Sequence, residues 1–266
     1  MKRILYLLIV LGVMQYGFCE TITGNIEKNE KKLQNKVVDS ETKSPVPFAI
    51  IKIPKKNYQT TTDKDGVFKL NADFTGTTIM SVEKSGYRPF SITVDKNSFS
   101  KPIIIGIEKT QANDLSLEAD VIHIGDDRFS QHSANSSEFK LRSAGAFYSK
   151  NFKLPAVNRG ENIYFVIGSV IGVDTLISRQ MGQSNVTTAY ASPAQIYFNG
   201  QKIGEIKYNS DGQSLLLPKQ LIRQNSDNEI TIRAGKNLFQ TNYTDYDDIE
   251  LANLHIEFKS AVANED

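Results

Sequence analysis

Two clusters of acidic residues are the part of this sequence whose side chains could hold a metal ion. Carboxylate oxygens suit hard cations, and loops from opposite ends of a domain can meet around a single ion. Acidic residues are also common in turns as solvated groups, and the sequence leaves that alternative open. The predicted metal ligands are Asp126, Asp127, Asp247 and Asp248.

Tyrosines in the predicted loops of the C-terminal half are candidates for ligand binding. Sugars bind to exposed aromatic faces that have amide and carboxylate groups nearby. These loops also contain Asn, Gln and Asp, whereas the chain has no Trp. The alternative is that the tyrosines pack at the ends of a β-sandwich. The predicted ligand-binding residues are Tyr190, Tyr208, Tyr243 and Tyr246.

The spacing of the histidine and serine residues does not indicate a catalytic site. His123 and His255 alternate with apolar neighbours, which predicts that both lie on the solvent-facing sides of strands. Neither they nor His132 have the helical-spacing partner or the cysteine neighbour of a zinc site. Ser169 lacks the glycine two residues earlier that a strained nucleophile turn requires. We therefore predict that the protein is not an enzyme.

The elements that must position these residues are β-strands. Residues 90–94 alternate between apolar and polar, which predicts a strand with one buried face, and the apolar run 162–173 predicts a central strand. Asn199-Gly200 between two strand-like runs predicts a hairpin. Residues 178–192 form the longest irregular segment, and binding tends to lie in such loops.

Two further patterns make specific structural predictions. Residues 60–70 predict a β-hairpin, because Asp63 can bond backbone amides two residues on and Gly66 accepts a positive φ at the turn. In residues 249–258 the apolar residues change phase, so a bulge near Ala252-Asn253 is needed to keep them on one face.

The length, the charge and the N-terminal sequence limit the class of protein to which this chain can belong. The chain has 266 residues, with 31 Lys plus Arg against 30 Asp plus Glu, which gives no electrostatic case for nucleic acid or anionic membrane as a partner. Lys2 and Arg3 precede an apolar run, residues 4–14, that is too short to span a bilayer. This predicts an export signal that ends at Cys19. The alternative is that Cys19 is a lipid-anchored first residue.

Four signatures in the N-terminal half resemble the carboxypeptidase regulatory-like domain, a transthyretin-like β-sandwich. They lie at residues 37–39, 45–49, 62–68 and 85–87. The resemblance covers residues 36–109. It implies a non-catalytic folding or presentation module of the kind found in bacterial secreted and outer-membrane proteins.

Three segments of the C-terminal half are similar to galactose-binding-like jelly rolls. They are residues 196–204 with the Asn199-Gly200 turn, residues 217–218 together with 228–232, and residues 246–254. The similarity spans residues 117–261. It implies a module found in carbohydrate-binding proteins and beside polysaccharide-degrading enzymes, and it implies structural calcium as the candidate cofactor.

We therefore predict an all-β protein with two β-sandwich domains, a transthyretin-like Greek-key sandwich followed by a galactose-binding-like jelly roll. The predicted segments are a signal peptide (1–19), a flexible leader (20–35), the first sandwich (36–109), a linker (110–116), the jelly roll (117–261) and a tail (262–266).

The functional hypothesis is an exported accessory protein, periplasmic, cell-surface or secreted, that is not an enzyme. Its C-terminal module binds a glycan or a cell-envelope protein, and nucleic acid is not a partner. One alternative is a structural or assembly lipoprotein of the bacterial cell envelope. Another is a hydrolase, which would need a deep acidic cleft, since the separation of two catalytic carboxylates is a three-dimensional quantity.

Overall fold

The computed structural model describes residues 34–71, 76–130, 132–135, 138–158 and 160–260. The predicted signal peptide, the cleavage or lipidation site at Cys19, residues 20–33 of the predicted leader and the tail 262–266 lie outside the described residues. From Leu33 onward the chain forms one compact unit. No helix in the described part of the chain has the length and hydropathy needed to cross a bilayer.

The N-terminal module is a small β-sandwich. An antiparallel sheet of order β3-β2-β4-β5 faces a pair of parallel strands, β1 and β6, and Ile51, Met80 and Ile105 meet in the core between them. A single 3-10 turn, Pro54–Lys56, separates β2 from β3. The strands are β1 (Lys36–Asp39), β2 (Ile50–Ile53), β3 (Tyr58–Thr61), β4 (Thr78–Glu83), β5 (Phe90–Val94) and β6 (Ile104–Ile107).

The C-terminal module has eight strands in two antiparallel sheets of four, which is the jelly-roll arrangement. The order is β12-β9-β14-β7 in the sheet we call the inner sheet and β11-β10-β13-β8 in the outer sheet. One α-helix, α1 (Leu176–Gln180), and a 3-10 turn, Lys219–Leu221, lie in the connections. The strands are β7 (Leu115–Ile124), β8 (Phe147–Lys153), β9 (Glu161–Ile171), β10 (Ala194–Phe198), β11 (Gln201–Ile206), β12 (Ser210–Leu216), β13 (Asp227–Arg233) and β14 (Ile249–Ser260).

The predicted all-β class is confirmed. Within the C-terminal module, apolar side chains of both sheets interdigitate, and Phe165, Phe198 and Ile230 are fully buried there. The apolar run predicted as a central strand is β9, which lies between β12 and β14. Its β-branched and aromatic residues fit a pleated surface that is covered on both sides.

The N-terminal module covers the face of the inner sheet that points away from the jelly-roll core. Ile79 of β4 packs with Phe139, Ile171 and Ala252 in a small apolar cluster between the modules. On β5, the backbone N–H of Thr93 donates to the Asp211 carboxylate at 3.0 Å. As a consequence, every residue of β14 from 249 to 258 is buried.

This coverage makes the prediction for two histidines wrong. His123 is 1% exposed and His255 is 6% exposed, although the sequence placed both on solvent-facing sides of strands. The alternation itself is correct, because both side chains point away from the jelly-roll core. The side to which they point is occupied, for His255 by the N-terminal module and for His123 by the segment around Phe139 and Leu141.

The bulge predicted near Ala252-Asn253 is confirmed. The register of β14 against β7 shifts between Ala252 and Leu254, and Asn253 adopts a φ of 56°. Because of this extra residue, Leu251 and Leu254 both face the core. The Asn199-Gly200 hairpin between β10 and β11 is also confirmed, with positive φ at both residues.

The hairpin predicted at residues 60–70 is wrong in its pairing, although its turn is correct. Asp63 Oδ1 accepts from the N–H of Asp65 at 2.9 Å, and Gly66 has a φ of 70°. Beyond the turn, however, Val67 bridges to Lys36 instead of continuing against β3. The arms separate because β3 is already paired with β2, while residues 67–68 bond to the chain at the start of β1.

Two predicted boundaries also shift. β7 begins at Leu115, inside the predicted linker 110–116, because Leu115 is paired with Ile256 and packs against the core. The predicted loop 178–192 begins within α1, where the N–H of Ser178 donates to Thr175 Oγ1 at 3.1 Å and caps the helix.

Candidate binding groove

An open groove of about 650 Å³ lies on the solvent face of the outer sheet. Three neighbouring strands, β8, β13 and β10, form its floor, and their outward side chains are aligned by the strand register. One row across the sheet is Ser149, Thr231 and Tyr197, and the next is Phe147, Arg233 and Gln195. Two rows of side chains therefore line the floor of the groove.

The period of two along each strand produces this floor. In β13, Asn228, Ile230 and Ile232 are buried in the sandwich, so the residues between them face outward. In β10, Ile196 and Phe198 point inward in the same way. Successive side chains of a strand point to opposite faces of the sheet, so a well-packed core fixes the outward groups on a rigid surface.

Two segments from the loops close one end of the groove. Lys236 and Tyr246 line it and are paired to each other by a β-bridge. The N–H of Lys236 donates to Ser192 Oγ at 3.0 Å. The N–H of Tyr246 donates to Asp126 Oδ2 at 3.0 Å. Asp126, which the sequence suggested as a metal ligand, thus holds a groove tyrosine in position.

The basic side chains of the groove lie over its aromatic rings. The Arg233 guanidinium carbon is 4.5 Å from the centre of the Tyr197 ring, and Lys236 Nζ is 5.5 Å from the centre of the Tyr246 ring. The Tyr197 hydroxyl donates to Gln195 Oε1 at 2.6 Å. Cation–π contacts of this kind orient both partners, so the groove presents aromatic, amide and cationic groups in fixed places.

The four tyrosines predicted to bind ligand do not share one site. Tyr246 lines the groove. Tyr208 lines a separate cavity of about 640 Å³ beside β11 and β12. Tyr190 packs edge-on against Phe239 with ring centres 4.9 Å apart, and Tyr243 lies beneath the Arg128 guanidinium at 5.2 Å. Neither Tyr190 nor Tyr243 belongs to the lining of these two cavities.

Two of the four predicted metal ligands, Asp127 and Asp248, lie around His123. Asp248 Oδ1 accepts from His123 Nε2 at 2.8 Å and from the N–H groups of Asp126 and Asp127 at 3.1 Å and 3.0 Å. Its Oδ2 accepts from Asn135 Nδ2 at 2.6 Å. Asp248 is fully buried, and both of its oxygens are engaged by protein donors.

The histidine in this network carries a proton on Nδ1, because that nitrogen faces the Leu141 carbonyl oxygen at 2.6 Å and a carbonyl only accepts. Burial alone would lower the pKa of His123. Hydrogen bonds to Asp248 and to the Leu141 carbonyl, together with the negative charge of Asp248, outweigh burial and raise the pKa. The result is an ion pair between His123 and Asp248 that ties β7 to the start of β14.

One ligand atom each from His123, Asp127 and Asp248 lies within 4.8 Å of the others, a spacing that a metal ion could bridge. A cation there would compete with the hydrogen bonds that Asp248 already accepts, and calcium prefers oxygen ligands to an imidazole nitrogen. These residues therefore do not fit the calcium ion that the jelly-roll resemblance implied. The four-carboxylate site stays a prediction.

Asp247 lies apart from that network. Its Oδ2 accepts from the N–H of Asp174 at 3.1 Å, whereas Oδ1 has no hydrogen-bond partner in the described part of the chain. Burial, together with the negative charge of Asp174, raises the pKa of Asp247 well above its usual value.

A further cavity of about 390 Å³ lies at the junction of the two modules. The basic side chains that line it are paired with acidic groups. Arg88 Nε lies 2.6 Å from Asp114 Oδ2, and Arg88 Nη1 lies 3.5 Å from Glu257 Oε1. Glu257 also accepts from Lys259 at 2.7 Å. This junction joins the modules through buried ion pairs, which distinguishes it from the open groove.

Most of the groove residues were not predicted from the sequence. The predicted tyrosines lie in loops, whereas Tyr197, Gln195 and Arg233 lie within strands. Alternation in residues 194–198 and 227–233 was a usable signal, because every second residue there is polar or aromatic and so faces away from the core. The cross-strand register that aligns the two rows has no local signature in the sequence.

Comparison with solved structures includes a partial match. It is the crystal structure of a glycosyl hydrolase family 2 (GH2) member from Bacteroides cellulosilyticus, with 12% sequence identity and a TM-score of 0.28. The match covers 53% of this chain and 20% of that protein, so the chain spans about a fifth of its length. A TM-score of this size carries no argument about fold or function. No curated protein sequence matches the chain.

The N-terminal module does match a known family. Residues 33–118 fit the family model of the CarboxypepD_reg-like domain, in agreement with the resemblance of residues 36–109. The matched region begins just before β1 and extends into β7. The N-terminal part of this chain is a CarboxypepD_reg-like domain.

Proposed function

We propose that the chain is an exported binding protein without enzymatic activity whose C-terminal module, a galactose-binding-like jelly roll, binds a saccharide chain. The bound saccharide lies in the groove on the outer sheet. The observation that carries this proposal is the open groove itself, in which Tyr197, Tyr246 and Gln195 are fixed on the rigid face of a packed sheet.

The chemistry of the groove suits a polyhydroxylated ligand. Aromatic rings pack against the apolar C–H faces of sugars, while amide and hydroxyl groups exchange hydrogen bonds with sugar hydroxyls. Phe147 is 62% exposed, which gives the groove an apolar edge that is open to solvent. An open shape with entry along the sheet suits a polymer better than a small enclosed molecule.

The acidic groups of the groove favour binding over hydrolysis. Glycoside cleavage requires two carboxyl groups separated by roughly 5–9.5 Å on either side of the scissile bond. Among the described residues that line the groove, Glu229 is the single carboxylate. This supports the proposal that the bound saccharide is held and not cleaved.

The N-terminal module supports the groove without entering it. It packs on the inner sheet, through Ile79 and through hydrogen bonds from β5 to Asp211. The groove lies on the opposite side of the sandwich, on the outward face of the outer sheet. We infer that the CarboxypepD_reg-like domain stabilises and presents the binding module at the place to which the protein is exported.

A glycan array followed by calorimetric titration of the best ligand tests this function with the full chain. Tyr197→Ala should weaken binding by about tenfold or more, as truncation of a central aromatic contact does. Tyr208→Ala is the matched control, because it removes an exposed tyrosine from a different cavity, and it should leave the affinity within about twofold. Far-UV circular dichroism of each variant checks folding.

Two results would count against the proposal. One is the absence of binding on a broad array that contains both neutral and charged polysaccharides. The other is an equal loss of affinity in Tyr197→Ala and Tyr208→Ala, which would place the ligand elsewhere on the module.

A further inference from the structure

The basic side chains of the groove, Arg233 and Lys236, differ from several lysines of the C-terminal module in their charge environment. Lys150, Lys202 and Lys259 each lie within 4.0 Å of a glutamate carboxylate. Within the described ranges, no carboxylate lies within that distance of Arg233 or Lys236. Both are exposed, and both are held over an aromatic ring.

Stacking on the rings prepares these cations to bind a ligand. The Arg233 guanidinium carbon lies 4.5 Å over the centre of the Tyr197 ring, and this cation–π contact restricts the side chain. A planar guanidinium matches the two oxygens of a carboxylate or sulfate, and a fixed one loses little rotamer entropy when it binds. Lys236 adds a second positive charge at the end of the groove that Tyr246 closes.

The balance of charge in the groove is positive. Arg233 and Lys236 are opposed by Glu229, which lies four residues before Arg233 on the same face of β13. At about 3.3 Å of rise per residue, the two are separated by roughly 13 Å along the strand. The end of the groove that holds Tyr197 and Tyr246 is therefore cationic.

From these observations we infer that the groove binds an anionic saccharide, one that carries carboxylate or sulfate groups along its chain. This inference rests on the proposed function and narrows it, because a neutral glycan would leave the two cations without partners. The junction cavity provides the contrast within the same molecule. There Arg88 is paired with Asp114, Glu108 and Glu257, and Lys259 is paired with Glu257. Both basic side chains of that lining therefore already have an acidic partner.

The test uses two matched pairs of polymers and the full chain. Polygalacturonate is compared with its methyl ester, and dextran sulfate is compared with dextran, by affinity gel electrophoresis at low salt. The wild-type chain should bind at least one polyanion tenfold or more tightly than its neutral counterpart. The pair that shows this preference identifies the group, carboxylate or sulfate, that the groove recognises.

Three variants locate the effect. Arg233→Gln and Lys236→Gln should each weaken binding of the preferred polyanion by about tenfold and reduce the preference for it over its neutral counterpart. Lys207→Gln is the control, because it removes the same charge at an exposed lysine that lies 3.6 Å from Glu205 outside the groove. It should change the affinity by less than twofold. All three side chains are exposed, and folding is checked by thermal unfolding.

The possible outcomes distinguish the preference for anionic saccharides from the proposed saccharide-binding function. Equal affinity for charged and neutral polymers, with Tyr197→Ala still abolishing both, would overturn the anionic preference and leave the proposed function standing. A loss in Lys207→Gln as large as that in Arg233→Gln would also overturn it, because the attraction would then be a property of the whole surface. Failure of all four polymers to bind would contradict both the preference and the proposed function.

Discussion

The two sheets of the jelly roll have similar alternating sequence patterns, but the outward face of one is open to solvent and that of the other is covered. In the outer sheet, Gln195, Tyr197 and Arg233 alternate with core residues and form an open groove. In the inner sheet, the corresponding outward residues of β14 are buried, among them His255 at 6% exposure. The difference arises because the CarboxypepD_reg-like domain packs on one sheet and leaves the other free.

Alternation of apolar and polar residues therefore identifies which face of a strand lies in the core. It does not show whether the opposite face is exposed to solvent or covered by another module. A polar residue on that other face either meets solvent, where it is available for ligands, or meets another module, where it must find a partner. Buried polar groups are costly unless they are hydrogen-bonded. On the inner sheet, buried polar groups form hydrogen bonds and ion pairs, as Ser169 does with Asp211 and His255 with Glu257. On the outer sheet, solvent can take the place of such partners. The following predictions test that distinction.

The largest effect is expected from Asp248→Ala. This change leaves the buried His123 without its counter-ion and removes the acceptor of the N–H groups of Asp126 and Asp127. Breaking a buried pair on one side costs about 3–5 kcal/mol of unfolding free energy, which urea denaturation would measure. Asp227→Ala, at the exposed start of β13, is the control and should stay within about 0.5 kcal/mol. A loss below about 1 kcal/mol for Asp248→Ala would contradict this account of the network.

The contact between the modules comes next. Ile79→Ala removes a side chain that is 1% exposed and packs against Ile171 and Ala252, and it should lower the unfolding free energy by about 2–3 kcal/mol. Ile104→Ala removes an isoleucine of the same module that is 64% exposed, and it should cost less than about 0.5 kcal/mol. Equal effects in the two variants would mean that the modules are not packed together in solution.

A pair of serines compares the two sheets directly. Ser169 on the inner sheet is buried and bonds to Ser91 Oγ at 3.0 Å and Asp211 Oδ1 at 2.7 Å, so Ser169→Ala should cost about 1–2 kcal/mol. Ser149 on the outer sheet bonds to Thr231 at 2.7 Å in an exposed position, so Ser149→Ala should cost less than about 0.5 kcal/mol. The difference between the two variants in urea denaturation tests the coverage of the inner sheet. Equal losses of unfolding free energy in the two variants would contradict the distinction between a covered inner sheet and an open outer sheet.

The smallest effect is a dependence on pH at Glu257. The hydrogen bond with His255, against the effect of burial and with help from Lys259 and Arg88, lowers the pKa of Glu257 from 4.5 to about 2. A carboxyl whose folded pKa is lowered stabilises the protein above its unfolded value, and this contribution is lost as the pH falls from 4.5 towards 2.

Glu257→Gln should therefore reduce the loss of stability between pH 4.5 and pH 2 by an amount on the order of 1 kcal/mol, since solvent screens part of the interaction. Urea denaturation of both proteins at several pH values in this window would show it. Parallel pH profiles for the wild type and the variant would contradict the assignment.

The sequence was sufficient for the local features of the fold. The Asn199-Gly200 hairpin follows from two residues that tolerate positive φ, and the bulge at Asn253 follows from the change of phase between Leu251 and Leu254. Both depend only on neighbouring residues. The turn at Asp63 was predictable for the same reason, whereas the strand that follows it was not, because its partner is chosen by distant residues at the start of β1.

The candidate site was predictable only in part. Of the tyrosines predicted to bind ligand, Tyr246 lines the groove, and Asp126, which was predicted as a metal ligand, accepts from the Tyr246 N–H. Tyr197 and Arg233 were missed because their alignment across the sheet depends on strand register. The burial of His123 and His255 was missed because it depends on segments packed against the strands from far along the chain.

The most direct test of the central claim is a map of the bound saccharide on the two sheets. Backbone amide shifts would be followed by NMR while the best ligand from the array is added to the full chain. The account predicts that the largest changes fall at residues 195, 197, 231 and 233 of the outer sheet and at residue 246, with β9 and β14 unchanged. Changes concentrated on the inner sheet or on the CarboxypepD_reg-like domain, with none in the groove, would contradict it.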